Sequence, residues 1–92
     1  MEDRRLRARF KVTLPVTMAT AQGTIEGKTK DLSAVGAFIC CQEPLMPKER
    51  CLLNIHLDDG SVHEVVAEVV WSKIIGNEEK LEPAGMGVRF IH

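Results

Sequence analysis

The most constraining feature of this chain is an alternation of apolar and polar residues that recurs in several segments. From Phe10 to Met18 every second residue is apolar, and the pattern returns from Cys51 to Leu57. Successive side chains of a β-strand point to opposite faces, so this period of two predicts strands with one buried face. No segment shows a convincing 3.6-residue period, and the pattern therefore indicates an all-β chain.

Six strands are predicted, with turn residues between them. Pro15 favours an edge position or a bulge in the first strand, and Asp58 to Ser61 carries the Asp-Gly signal of a tight hairpin. The predicted strands span residues 10–18, 24–32, 36–41, 51–57, 62–73 and 85–91, with a polar loop at 74–83. For a chain of 92 residues we favour a closed antiparallel barrel over a sandwich, because closure hides the strand edges.

Composition and cysteine usage limit the class of protein. A hydrophobic fraction of 45% in 92 residues fits one folded domain, and no apolar run approaches the roughly 18 residues of a membrane helix. We therefore expect neither membrane insertion nor a secretion signal. The cysteines are odd in number, and the adjacent Cys40 and Cys41 would point to opposite faces of a strand, which disfavours a disulfide between them. These features predict a reducing, cytoplasmic compartment.

Charge is distributed unevenly along the chain. The formal net charge is -1, yet residues 1–11 contain five basic residues against two acidic ones. We predict a flexible basic arm at residues 1–9 and a barrel domain at residues 10–92. The acidic body and the small number of aromatic residues argue against a nucleic-acid-binding barrel.

The common signatures of enzymes and zinc sites are missing. The chain has no phosphate-binding loop of the Gly-x-x-x-x-Gly-Lys type, no His-Glu-x-x-His and no Cys-x-x-Cys. The spacing of Cys40, Cys41, Cys51 and His56 supports no specific metal site, and free cysteines usually pack as small apolar side chains. We expect a binding domain that needs no metal or cofactor and catalyses no reaction.

Two short motifs are candidates for ligand binding. Arg5 and Arg9 form an Arg-x-x-x-Arg in the arm, where guanidinium groups suit phosphates and guanine. Asp31, Ser33 and Gly36 form an Asp-x-Ser-x-x-Gly between two predicted strands. A carboxylate accepts hydrogen bonds from the N1–H and N2–H edge of guanine, although the same three residue types are also common in plain turns.

Taken together, these motifs resemble those of the PilZ domain family, bacterial receptor modules for the second messenger cyclic di-GMP. The resemblance covers nearly the whole chain. It includes the arginine arm running into Leu-Pro-Val at 14–16, the Asp-Leu-Ser-Ala-Val-Gly turn at 31–36, Val-Val-Trp at 69–71 and Gly-Met-Gly-Val-Arg-Phe-Ile at 85–91. It implies a six-stranded antiparallel PilZ-type β-barrel, which agrees with the six strands counted from the alternation.

The resemblance also implies a role for each motif. Arg5 and Arg9 would hold phosphates and the N7/O6 edge of guanine, while Asp31, Ser33 and Gly36 would receive the other guanine edge and the phosphoribose ring. Relatives with an arginine directly before Arg-x-x-x-Arg tend to hold two stacked ligands. The resemblance therefore implies that Arg4 supports binding of two cyclic di-GMP molecules per domain.

Trp71, the single tryptophan, has two interpretations. Its place in the alternation after Val65, Ala67 and Val69 indicates the core, whereas some PilZ relatives place a tryptophan at the end of this strand against a guanine. The sequence leaves both open.

The resemblance implies a stand-alone receptor that changes its surface on binding cyclic di-GMP and so controls an unidentified downstream protein. The alternative is a PilZ-like protein–protein adaptor with little or no nucleotide binding. We expect a monomer or a weak homodimer, and no C-terminal helix after the barrel.

Overall fold

Six β-strands form a closed antiparallel barrel in the computed structural model, which describes residues 9–73 and 84–91. The strands are β1 (Pro15–Thr20), β2 (Gly23–Leu32), β3 (Gly36–Cys40), β4 (Arg50–His56), β5 (Val62–Lys73) and β6 (Gly85–Ile91). Their order around the barrel is β1-β2-β3-β6-β5-β4. The predicted all-β barrel is confirmed. Arm residues 1–8 and the loop predicted at 74–83 lie outside the described residues, of which none belongs to a helix that could span a membrane.

The alternation places one set of apolar side chains inside the barrel. Met18, Ile39 and Leu53, from three different strands, are completely buried. The remaining buried apolar residues are Leu14, Val16, Ala37, Cys41, Leu45, Cys51, Ile55, Val65, Ala67, Val69, Met86 and Val88. Burial of this set is the main favourable contribution to folding, because apolar surface removed from water stabilises by roughly 25 cal/mol per Å².

The first strand begins later than the alternation predicts. Residues 10–14 do not form a regular ladder, and the segment is attached to β2 at two points. Phe10 forms an isolated antiparallel bridge with Leu32, through backbone bonds of 2.8 and 2.9 Å. Pro15 is the first residue of β1 and pairs only with β2. Pro15 is thus paired on one side only, at the first position of the strand, where the missing N–H is tolerated.

Thr29 is the second point of attachment. Its side chain is 1% exposed, and its hydroxyl donates to the carbonyl of Val12 at 2.6 Å and accepts from the amide of Leu14 at 2.9 Å. The Thr29 amide donates to the Leu14 carbonyl at 2.9 Å. A single buried residue of β2 thus satisfies three backbone groups of the segment that leads from the arm into the barrel.

The predicted hairpin at residues 58–61 is confirmed. The amide of Gly60 donates to the carbonyl of Leu57 at 3.0 Å, and the amide of Leu57 donates to the carbonyl of Ser61 at 2.9 Å. Gly60 has φ of 90°, a conformation that glycine adopts without steric cost.

The three cysteines are free thiols, as the sequence predicts. Cys41 and Cys51 are 8% and 4% exposed, and Cys40 is half-buried. Burial raises the pKa of Cys41 and of Cys51 to about 11, so both are protonated at neutral pH. Among the described residues, no group of three or more histidine, cysteine or acidic side chains is placed to hold a metal ion.

Candidate ligand-binding site

A row of residues crosses four strands on the outer face of the barrel. Asp31 of β2 pairs with Phe38 of β3, Phe38 pairs with Gly87 of β6, and Gly87 pairs with Trp71 of β5. An acidic group therefore lies at one end of the row and an indole at the other. We call this set the Asp31–Trp71 row.

Two β-bulges aim both ends of this row outward. The register shifts between Thr29 and Asp31, and it shifts again between Val69 and Trp71. Each shift adds one residue to its strand, which reverses the alternation and turns the next side chain to the other face. Without the shifts, Asp31 would follow the buried Thr29 into the core, and Trp71 would follow the buried Val69.

The structure therefore corrects the interpretation of Trp71 as a core residue. The indole is 48% exposed, and its ring stacks on Phe38 with centroids 5.2 Å apart and planes 16° apart. The ammonium group of Lys30 lies 5.7 Å from the centroid of the Phe38 ring, within the range of a cation–π interaction. Lys30, Phe38 and Trp71 thus form a cationic aromatic surface beside Asp31.

Arg9 completes the group from the end of the arm. Its guanidinium Nη1 donates a charge-assisted hydrogen bond to Oδ1 of Asp31. The bridge between Phe10 and Leu32 explains the contact, because each member of the ion pair directly precedes one member of the bridge. The two side chains are 51% and 26% exposed, so the ion pair is accessible to solvent and to a ligand.

These residues surround an open hollow of about 460 Å³, here called the main hollow. Its charged and aromatic lining consists of Arg9, Lys30, Asp31, Phe38, Trp71 and Lys73. Among the described lining residues, cationic side chains outnumber the single carboxylate, which favours an anionic ligand. The volume lies within the usual range of small-molecule sites. A smaller hollow of about 150 Å³ adjoins it and shares Arg9, Trp71 and Gly87, and Arg89 also lines it.

Ser33 lies in the turn between β2 and β3 and Gly36 is the first residue of β3, and both are outside the lining of the main hollow. Ser33 is 6% exposed, and its hydroxyl accepts from the amides of Val35 at 3.2 Å and Gly36 at 3.1 Å. It also donates to the Gly36 carbonyl at 3.2 Å. A Cβ on Gly36 would overlap the backbone carbonyl of Val88 in β6. Both residues hold the turn, and Gly36 borders the smaller hollow.

The structure thus brings together three of the seven residues predicted for the site, Arg9, Asp31 and Trp71. Arg4 and Arg5 lie outside the described residues. Lys30, Phe38, Lys73 and Gly87 are additions that the sequence motifs did not include. Only the cross-strand register places Phe38 and Gly87 beside the motif residues, whereas Lys30 and Lys73 are close in sequence to Asp31 and Trp71.

The fold and this surface define a small β-barrel domain with an exposed cationic and aromatic hollow on its outer face. A family model described as PilZ domain matches residues 3–92. The chain therefore belongs to the PilZ domain family, and the resemblance seen in its motifs is confirmed.

One solved structure with a similar fold is described as "PilZ domain with c-di-GMP of YcgR from Escherichia coli". The superposition has a TM-score of 0.74 at 15% sequence identity, and it covers 92% of this chain and 76% of the other. At this identity the similarity establishes the barrel fold. No curated protein sequence matches this chain.

Proposed function

We propose that this domain is a non-enzymatic receptor for cyclic di-GMP. The observation that carries the proposal is the convergence of Arg9, Asp31 and Trp71 on one hollow, from three elements that are distant in sequence. Membership of the PilZ family and the fold shared with a PilZ domain described with c-di-GMP support the choice of ligand.

The chemistry of the hollow matches the parts of such a ligand. Cyclic di-GMP carries two phosphodiester charges, which suit a lining that includes the cationic Arg9 and Lys30. Guanine presents acceptors at N7 and O6 to an arginine, and donors at N1 and N2 to a carboxylate. The exposed indole of Trp71 offers a stacking surface for a base, a contact worth about 1–3 kcal/mol.

Ligand binding exchanges one ion pair for others. The Arg9–Asp31 pair is partly exposed, and pairs of this kind contribute about 0.2–1 kcal/mol. A guanine that donates hydrogen bonds to the Asp31 carboxylate therefore displaces Arg9 at a small cost in free energy. The released guanidinium then donates to N7, O6 or a phosphate oxygen of the ligand. Arg5 adds a second phosphate contact in this proposal, and Arg4 supports a second, stacked ligand molecule.

Ser33 and Gly36 contribute to the site through the turn that they form. The hydroxyl of Ser33 is already bonded to three backbone groups, and Gly36 permits close approach of β3 and β6. They hold the backbone that follows Asp31, and they contact the phosphoribose ring of a ligand that lies against the turn.

The output of binding is a changed surface. Cyclic di-GMP draws the basic arm onto the outer face of the barrel, and a downstream protein in the cytoplasm recognises the ordered arm. Ordering of the arm costs entropy and charge-assisted contacts offset that cost, so we expect a dissociation constant between about 0.1 and 1 μM.

Isothermal titration calorimetry with cyclic di-GMP tests the proposal, with GTP and GMP as control ligands. We expect saturable binding to the wild type and a loss of at least about tenfold in affinity for Arg9→Ala, because a charge-assisted contact is worth about 1.5–3 kcal/mol. Arg50→Ala is the matched control: Arg50 is also an exposed arginine paired with a carboxylate, Glu68, but it lies outside the main hollow.

Absence of binding by a folded wild type would refute the receptor and favour the adaptor that works by protein contact alone. A stoichiometry near two, reduced to one in Arg4→Ala, is the result expected for a pair of stacked ligands.

A further inference from the structure

Gly87 is buried in an unusual way for a glycine on the outer side of a strand. A Cβ built on it would lie 2.7 Å from Cε2 and 3.0 Å from Cδ1 of Trp71. The edge of the indole therefore occupies the space that any larger residue at position 87 would need. Its three nearest neighbours are all atoms of the Trp71 side chain.

Two other glycines in the same part of the barrel differ in what they contact. A Cβ on Gly36 would meet the backbone of β6, and a Cβ on Gly85 would meet the backbone of β3 as well as the Phe38 ring. Those glycines permit strands to approach each other, whereas Gly87 permits a side chain to lie against a strand.

Backbone conformation does not explain the glycine at position 87. Among the described residues, the glycines with positive φ are Gly23 and Gly60. A glycine inside a strand weakens the strand, because it has no side chain to pack and loses more entropy on folding. The contact with Trp71 is the compensating feature that the structure shows.

Phe38 fixes the indole from a second direction. It pairs with Gly87 across β3 and β6, and its ring lies nearly parallel to the indole, with planes 16° apart. Gly87 thus leaves the space into which the indole fits, and Phe38 supports it. The indole remains 48% exposed and borders both hollows.

We propose that Gly87 and Phe38 are positioning residues, which hold Trp71 in one orientation so that a guanine base of the ligand stacks on it. This inference rests on the proposed function and goes beyond it by assigning two residues outside the Arg-x-x-x-Arg and Asp-x-Ser-x-x-Gly motifs. A tryptophan held in place before binding loses less rotamer entropy when the base arrives, so its stacking contributes more to affinity.

Gly87→Ala and Phe38→Leu test the proposal, and Val66→Ala is the control. Val66 is 40% exposed on the same strand as Trp71 but lies outside both hollows. We expect both test variants to bind cyclic di-GMP at least about fivefold more weakly, since one base–aromatic stack corresponds to roughly five- to hundredfold in affinity. Val66→Ala binds as the wild type does.

The ligand-free protein provides a second readout, because Trp71 is the single tryptophan. Tryptophan fluorescence reports the indole alone, and so does near-ultraviolet circular dichroism at wavelengths above the phenylalanine bands. We expect both spectra to change in Gly87→Ala and Phe38→Leu and to stay unchanged in Val66→Ala, with far-ultraviolet spectra that show an intact barrel in all three.

A double-mutant cycle separates positioning from a general structural role. In a Trp71→Ala background, Gly87→Ala has no indole to displace and leaves the affinity unchanged. An equal loss of affinity in both backgrounds would overturn the proposal, and so would wild-type affinity in both Gly87→Ala and Phe38→Leu.

The two proposals fail in different ways. If the wild type binds cyclic di-GMP and these variants bind equally well, only the positioning role falls. If the folded wild type does not bind, the proposed function and this role in binding fall together.

Discussion

Replacing Thr29 with valine preserves the shape of the side chain but removes the hydroxyl that attaches residues 10–14 to β2. The change leaves the Leu14 amide and the Val12 carbonyl without their partner at a site where Thr29 is 1% exposed. A buried polar group left unsatisfied costs about 1–3 kcal/mol. Leu14 is buried, so its unpaired amide bears the full desolvation cost. Val12 is half-buried, so water partly compensates the loss at its carbonyl.

The expected loss is therefore about 2–4 kcal/mol in the free energy of unfolding, a large part of the total for a small domain. For a chain of 92 residues this corresponds to a fall in melting temperature of at least about 10 °C. Urea denaturation followed by tryptophan fluorescence measures the loss. Thr24→Val is the matched control, because Thr24 is exposed on the same strand and should change stability by less than about 0.5 kcal/mol. A loss below about 1 kcal/mol for Thr29→Val would refute this explanation of how the segment is held.

Further predictions concern the buried thiols and the turn glycine. Alkylation of Cys41 and Cys51 at pH 8 should be slow in the folded protein and fast after denaturation; rapid labelling of the native barrel would contradict their burial. The folded-state pKa of each thiol is about 11, against an ordinary value of 9.0, so the unfolded chain loses these protons first and stability should fall as pH rises from about 9 to 11. Denaturation curves that do not change over that range would show that the thiols are not buried. Gly36→Ala should cost at least about 2 kcal/mol, since its Cβ meets the Val88 carbonyl, and thermal unfolding at wild-type temperature would exclude that contact.

The alternation of the sequence was sufficient to predict the barrel. The bounds predicted for the last two strands, 62–73 and 85–91, agree with β5 and β6, because those segments are long and clearly patterned. The first strand was misplaced because residues 10–14 alternate like a strand but are attached to β2 by one bridge and the Thr29 hydroxyl.

The candidate site was only partly predictable, for two physical reasons. Arg9 and Asp31 belong to motifs that are visible in the sequence. For Trp71 the period of two indicated the core and the family resemblance indicated a ligand contact, and the sequence could not decide between them because the bulge between Val69 and Trp71 reverses the alternation. A bulge has no clear local signature in this sequence. Phe38 and Gly87 are separated by 48 intervening residues and meet only because β3 pairs with β6, so cross-strand register must be known before either is linked to the site.

The most direct test of the account is a map of amide chemical shifts in the ¹⁵N-labelled domain with and without cyclic di-GMP. Binding at the proposed site should shift the amides of Asp31, Phe38 and Gly87 and the indole N–H of Trp71, and should leave the amide of Val66, which lies on β5 outside both hollows, unchanged. A map with no shifts at saturating ligand, or with shifts confined to residues away from the Asp31–Trp71 row, would contradict the central claim that these residues act as one ligand site.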